Sequence, residues 1–389
     1  MLSLCKGELN MKKTKPTVLA YYFPNWHVDP RNEEWHGKGW TEWEVLKYAR
    51  PRFPEHKMPR VPAWGYLDES KPEVMEQKID AALTHGVDGF IFDFYWYNDG
   101  GYRLKCLDQG FLGAKNCEQA KFGIMWCNHD PIAVHPQGKA TGQYSLGSGD
   151  VTVQTFYEAT EHCIKNYFGK PNYLRNSEGK LFFCIYMNGR MTENFGGADG
   201  MRIVLQDFRQ RVRDAGLGEI ELYTIPDYYD DFYENNEAYM EKMRYIGFNA
   251  FMSHGRPRGV EYPLEFPHLP YSEIMRCSRE RNEINTRLAQ EFPYNVHIYQ
   301  GFDNTARTVP SDVYGLYGGW FTWIVSDNTP ELFEKHCRET KEFYDEYATG
   351  EYITIHSWNE WTEGACLEPD TEIGYGYLNA IKHVFKDEN

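Results

Sequence analysis

Near the end of the chain, His356, Ser357, Trp358, Asn359, Glu360, Trp361, Thr362, Glu363 and Gly364 set two glutamates three residues apart among tryptophans, with Glu368 close behind. If the run up to Trp358 is a strand, alternation puts His356, Trp358 and Glu360 on one face. A turn after Glu360 then returns Glu363 to the same side, and two carboxylates can flank one bond. Glycoside hydrolysis needs such a pair, one protonated to assist the leaving oxygen and one ionised to attack or to activate the attacker. Trp358 and Trp361 would raise one of the two pKa values by excluding water. Two solvated glutamates beside a structural tryptophan would show the same spacing, so spacing alone leaves both readings open.

Other polar residues cluster where short apolar runs stop. Asp93 and Tyr95 share one face of GFIFDFYW, while Asn128, His129 and Asp130 follow FGIMWC. His254 closes NAFMSH, and Asp303 and Asn304 precede Arg307 in GFDNTAR. A segment of some 45 residues after TVLAYYF carries Trp26, His27, Trp35, Trp40 and Trp43, and a loop that long is usually a lid or binding loop. The expected substrate contacts are therefore Trp26, His27, Trp40, Asp93, Tyr95, Asn128, His129, His254, Asp303, Asn304 and Trp358, with Glu360 and Glu363 catalytic. Each has a plainer alternative: Asp93 in a hydrogen-bond network, His129 and His254 as satisfied polar groups at a rim, Asp303 and Asn304 capping a turn, the tryptophans packing the loop. A metal-dependent hydrolase would use His129, Asp130, His254 and His356, but no H-x-H or H-E-x-x-H spacing occurs, so neither metal nor cofactor is expected.

These residues need a scaffold that brings strand ends together. Eight strand-like runs occur: 17–23, 89–96, 122–128, 181–187, 219–225, 249–254, 294–302 and 352–358. Helical stretches with readable ends lie between them, at Pro72 to Gly86, Asp199 to Gly216, roughly 232–246, roughly 272–291 and Pro330 to Gly350. Met75, Ile79 and Leu83 form the apolar stripe of the first. Alternation of this kind predicts an α/β fold, a single (β/α)8 TIM barrel with long βα loops over residues 15–389, preceded by an N-terminal extension over 1–14. Chemistry in such barrels sits where the strands end.

Composition narrows the partners. A net charge of −16 and scattered basic residues argue against nucleic acid. No apolar run is long enough to span a bilayer, and the first residues lack the apolar stretch of a signal peptide, so no membrane contact and a cytoplasmic protein are expected. Met11 in MKKTKP is a second candidate start, and export stays open. The nine cysteines include no CxxC pair and read as reduced thiols. Tyr 29, Phe 23 and Trp 11 make the chain 16% aromatic, and rings in loops suit the flat faces of sugars. An oligosaccharide or polysaccharide is the expected partner; the oligomeric state cannot be read.

The segment WNEWTEGACLEPD resembles the N-E-W-x-E-G-x-x-[IL]-E signature of glycoside hydrolase family 99, the endo-α-mannosidases, and of the WbsX-like proteins often labelled glycosyltransferases. The WbsX-like resemblance extends over YYFPNWH, WHGKGWTEW, HGVDGFIFDFYWYN, IMWCNHD, GFDNTART and WNEWTEG, in that order. The third strand departs from the W-A-N-E-x-W pattern of that group, with Cys127, His129 and Pro131 where Ala, Glu and Trp would stand. The resemblance implies a (β/α)8 barrel acting with retention on an α-linked glycan. It further implies that Glu360 deprotonates the substrate's 2-hydroxyl to give an anhydro-sugar, and that Glu363 serves as acid and then base. A direct nucleophile at Glu360, a glycosyltransferase and a non-catalytic glycan-binding barrel remain the alternatives.

Overall fold

The computed structural model describes residues 15–133 and 136–387. The extension expected over 1–14 lies outside the described residues. Eight strands close into an all-parallel barrel: β1 (Thr17–Tyr22), β2 (Gly89–Tyr97), β3 (Lys121–Trp126), β4 (Leu181–Ile185), β5 (Ile220–Thr224), β6 (Ala250–Met252), β7 (Tyr294–Tyr299) and β8 (Tyr352–His356). Closure is explicit in the register, because β1 pairs with β2 (Tyr22 with Phe92) and with β8 (Ala20 with Ile355). All eight lie within the runs read from the sequence or within a residue of them.

Two-residue periodicity divides each strand between two apolar layers. In β2, Phe90, Phe92 and Phe94 face the helices, while Ile91 and Tyr95 face the barrel interior with Asp93 between them. β1 follows suit, with Val18, Ala20 and Tyr22 outward and Leu19 and Tyr21 inward. Each fully buried Phe contributes roughly 1.5–3 kcal/mol of hydrophobic stabilisation. A one-residue slip of β2 would exchange the phenylalanines with Asp93, so the register that packs the core also fixes where this carboxyl points.

The outer layer contains α1 (Pro72–Thr84), α2 (Val153–Asn166), α3 (Ala198–Asp214), α4 (Asn236–Ile246), α5 (Tyr271–Leu288), α6 (Pro330–Tyr347) and, after β8, α7 (Gly376–Lys382). Pro72 opens α1, and Gly86, at φ +87°, follows its end as the sequence suggests. Its buried face includes Lys78 beside Met75 and Ile79, and Leu83 is only partly covered. Helix α2 was not expected from the sequence. Its buried face, Thr155, Phe156, Ala159, Thr160 and Cys163, holds a single large apolar side chain, so the stripe is faint. Thr152 caps it, its hydroxyl accepting from the Thr155 N–H at 3.1 Å. Between β2 and β3 the crossover has no full helix, only a wide helical turn, Cys106–Phe111, and a short tight turn, Cys117–Gln119.

The long segment after β1 folds into two short helices, Pro30–His36 and Trp43–Lys47, and irregular chain. Eight cysteines fall among the described residues, all free, and Cys117 alone of these is not fully buried. No helix among the described residues is long and apolar enough to cross a membrane.

Candidate active site

The chain leaves β8 at His356 and forms a short hairpin in which Asn359–Glu360 pairs antiparallel with Ala365–Cys366. One helical turn, Trp361–Glu363, makes the tip and brings Glu363 back beside Glu360. Several bonds fix this hairpin. Asn359 exchanges hydrogen bonds with the Phe23 backbone at the end of β1, accepting from its N–H at 2.8 Å and donating to its carbonyl at 2.9 Å. The Ser357 hydroxyl accepts from the Glu360 N–H at 3.1 Å and donates to the Ala365 carbonyl at 2.7 Å. Both tryptophan indoles, Trp358 and Trp361, donate to the buried Glu368 at 2.8 Å, and Lys78 of α1 pairs with the same carboxylate at 2.7 Å. Gly364 closes the tip at φ +68°, where a Cβ would lie 2.7 Å from the Asp303 amide nitrogen.

Glu360 and Glu363 line a cavity of about 270 Å³ at the strand ends, together with Asp93, Tyr95, His129, His254 and His356. Arg307 bridges the two glutamates: one terminal nitrogen lies 2.5 Å from Glu363 and the other 3.4 Å from Glu360 and 3.1 Å from Glu42. Its Nε donates to the Thr362 hydroxyl at 2.9 Å, and its plane lies over Trp320. Thr362 in turn donates to Glu42, whose other oxygen accepts from Asn25 at 2.6 Å. One guanidinium thus orients three carboxylates from two segments of the chain: the buried Glu42 after β1, and the buried Glu360 and partly exposed Glu363 of the hairpin.

Burial and the neighbouring charge of Glu363 push the Glu360 carboxyl well above the usual carboxylate range, outweighing Arg307. Burial thus favours the protonated form of Glu360, while Glu363 makes the closer contact with Arg307. Asp93 is pushed up to about 8, mainly by burial, against the smaller pull of the Cys127 thiol and Arg103. The histidines move the other way. Burial lowers His129, takes His254 well below its usual value and brings His356 down to about 4. At neutral pH the cavity wall is thus formed by uncharged imidazoles and phenols: His254 packs edge-on to His356 at 4.9 Å, and Tyr228 links His254 Nδ1 at 3.1 Å to the Tyr186 hydroxyl at 2.7 Å.

Of the expected site residues, Asp93, Tyr95, His129, His254, Glu360 and Glu363 meet in this cavity; the others do not line it. Trp26 is fully buried, its ring 4.1 Å from Trp43. His27 is buried 3.8 Å from Glu69, and Trp40 packs on His36 at 4.2 Å. Asn128 ties the end of β3 to that of β4 by a reciprocal pair with the Met187 backbone at 2.8 and 2.9 Å. Asp303 faces a second cavity of about 470 Å³ and pairs with His56 at 2.8 Å. The Asn304 side chain is buried outside both cavities, while the backbone carbonyl of Asn304 accepts from the Arg307 backbone N–H at 3.0 Å. Trp358 fails the alternation because strand geometry ends at His356; it turns into the helix layer against Phe90. Asp130 is drawn to Arg190 at 2.7 Å, away from the histidines it was grouped with as a metal ligand, and no set of three or more metal-binding side chains occurs among the described residues.

Residues 18–381 match the family described as Glycosyltransferase WbsX. The chain belongs to the WbsX family. A curated relative, the Uncharacterized protein WxcX of Xanthomonas campestris pv. campestris, is 26% identical over 385 residues, covering 95% of this chain and 49% of the relative. The WbsX-family chain thus spans about half the length of the curated relatives it matches. Among solved structures, the family 99 endo-α-mannosidase of Bacteroides thetaiotaomicron superposes with a TM-score of 0.57 at 15% identity, covering 96% of each chain. A glycoside hydrolase-like protein gives 0.60 at 16% identity over 98% of each chain. At these identities the likeness is one of fold.

Proposed function

We propose that the protein is a glycoside hydrolase that cleaves an α-linked glycan with retention through Glu360 and Glu363. One observation carries the reading: two carboxyls on one hairpin face the same cavity and share one guanidinium, and burial with the neighbouring Glu363 raises Glu360 well above the usual carboxylate range. Glycoside hydrolysis uses a pair of this kind, in which one group protonates a leaving oxygen while its neighbour acts as base or nucleophile. The names of the fold neighbours point the same way, without fixing sugar or linkage.

In the assignment that the family 99 resemblance implies, Glu360 deprotonates the 2-hydroxyl and Glu363 is the acid. The raised pKa of Glu360 runs against this assignment, which needs Glu360 ionised. The burial of Glu360 and the 2.5 Å contact of Glu363 with Arg307 favour a second reading, with Glu360 as the acid and Glu363 as the anionic partner. The family description favours a glycosyltransferase as the alternative reaction.

Incubating purified protein with a panel of α-linked oligosaccharides, and separately with sugar nucleotides plus acceptor glycans, tests the proposal. Release of shorter oligosaccharides with the initial anomer retained is the expected result. Transfer from a sugar nucleotide without hydrolysis of any panel member would replace hydrolase by transferase.

A further inference from the structure

The cavity that holds the glutamate pair also carries a cation without a counter-charge. Arg256, in the loop after β6, lines the cavity, partly covered, with its guanidinium against Phe302 at 5.6 Å and Tyr262 at 5.7 Å. Its Nη1 is buried and has no hydrogen-bond partner, and no ion pair of this side chain occurs among the described residues. Arg103 and Arg281 also bury guanidinium nitrogens without an acceptor, but of the nearby arginines Arg256 alone lines the cavity. Arg307 meets three glutamates, Arg281 donates to the Gly255 carbonyl at 3.0 Å and faces Asp227 at 3.8 Å, and Arg103 is enclosed by the rings of Phe23, Tyr95 and Tyr102.

The cavity's two glutamates, Glu360 and Glu363, are held by Arg307 and neither pairs with Arg256. His254 and His356 stay neutral, Asp93 is largely protonated at neutral pH, and Tyr186, Tyr228 and Tyr299 remain phenols. In a chain of net charge −16, surrounding carboxylates are abundant, yet none pairs with Arg256. A covered N–H without an acceptor is costly, and the cost is recovered when a ligand brings one. The planar fork of a guanidinium fits a carboxylate, phosphate or sulfate with two parallel hydrogen bonds, and the apolar rings behind it hold the plane in place.

We infer that the glycan bound here is anionic: the sugar in the cavity carries a carboxylate, phosphate or sulfate group, and Arg256 receives it. This rests on the reading of the cavity as a glycan site and adds the substrate class. Phe302 and Tyr262 act as positioning residues for the guanidinium.

The test uses Glu360→Gln protein, so that binding is measured without turnover. Calorimetric titrations compare three matched pairs: α-linked galacturonate oligosaccharides with their carboxyl-reduced forms, and α-linked mannose oligosaccharides carrying 6-phosphate or 6-sulfate with their unsubstituted parents. At least one anionic member should bind ten-fold or more tightly than its neutral partner, and which one does so identifies the group. Adding Arg256→Gln should reduce that preference below two-fold, and Arg256→Lys should restore part of it, each variant being checked for an unchanged melting transition. Equal binding within all three pairs, no binding by any member, or a preference that survives Arg256→Gln would each overturn the inference. Failure of the hydrolase reading looks different: the preference would be present, but wild-type protein would release no product from the favoured oligosaccharide.

Discussion

The hairpin after β8 and the long segment after β1 are both rich in tryptophan, and both use it for anchorage rather than for ligand. In the hairpin, Trp358 and Trp361 donate inward to Glu368 and turn Glu360 and Glu363 toward the cavity. In the segment after β1, Trp26 and Trp43 pack on each other, Trp40 stacks on His36, and the chemistry delivered is again carboxylate: Glu42 reaches Arg307. The difference lies in exposure of the product. One region aims its acids at open space, the other buries its acid behind a cation. High tryptophan content therefore marks where the barrel mouth is braced, while the rings that line the cavity are those of Tyr95, Tyr186, Tyr228, Tyr299 and Phe302 with three histidines.

Truncating the brace should cost most. Trp26→Ala is expected to lower unfolding free energy by about 5 kcal/mol, the upper end for a fully buried Trp, with KM of the surviving folded fraction unchanged. Denaturant titration combined with kinetics checks this; a stable variant with a raised KM would return Trp26 to the substrate site. Arg307→Met leaves the buried Glu42 and Glu360, and the partly exposed Glu363, without their common partner and should cost about 3 kcal/mol. Those carboxyls would then fold only by taking up protons, so their pKa values in the folded state rise and stability is lost as pH rises. Melting curves from pH 5 to pH 8 should show the deficit growing with pH; a constant deficit would mean that Arg307 matters only for packing.

The next effect is smaller and concerns Asp93. Burial pushes its folded-state pKa up to about 8, above the ordinary carboxylate value of the unfolded chain. Its contribution is therefore fully present below the unfolded pKa and declines as pH rises toward about 8. Asp93→Asn should flatten the fall in melting temperature over that window, and an unchanged pH profile would show that Asp93 is ionised in the folded protein. Smallest of all is the expected response to chelation: after exhaustive EDTA treatment activity should be unchanged, and recovery only on added zinc or calcium would contradict a reaction run by the glutamate pair alone.

Much of the scaffold was legible because each strand is buried on both faces, which writes runs such as TVLAYYF and GFIFDFYW into the sequence. Helix α2 was not, because Thr, Ala and Cys fill its inner face in place of a large apolar stripe. In the site, alternation correctly sent Asp93 and Tyr95 inward, since they lie within β2. It misplaced Trp358, which lies two residues beyond the end of β8. Arg307 and Glu42 come from segments 265 residues apart in sequence, and no local pattern announces that they meet. The tight contact of Gly364 with Asp303 is similar: W-T-E-G shows a turn, but not what the turn touches.

The most direct measurement compares Glu360→Gln and Glu363→Gln on two α-glycosides, one whose leaving group needs a proton and one whose leaving group departs without it. Both variants should keep wild-type melting behaviour and lose roughly 10²–10⁴-fold on the first substrate. On the second, one variant alone should recover most of its activity, and that variant identifies the acid: Glu363 if the order implied by the family 99 resemblance holds, Glu360 if its burial decides which carboxyl is protonated. Wild-type rates for both variants on both substrates would contradict the central claim that this pair performs the chemistry.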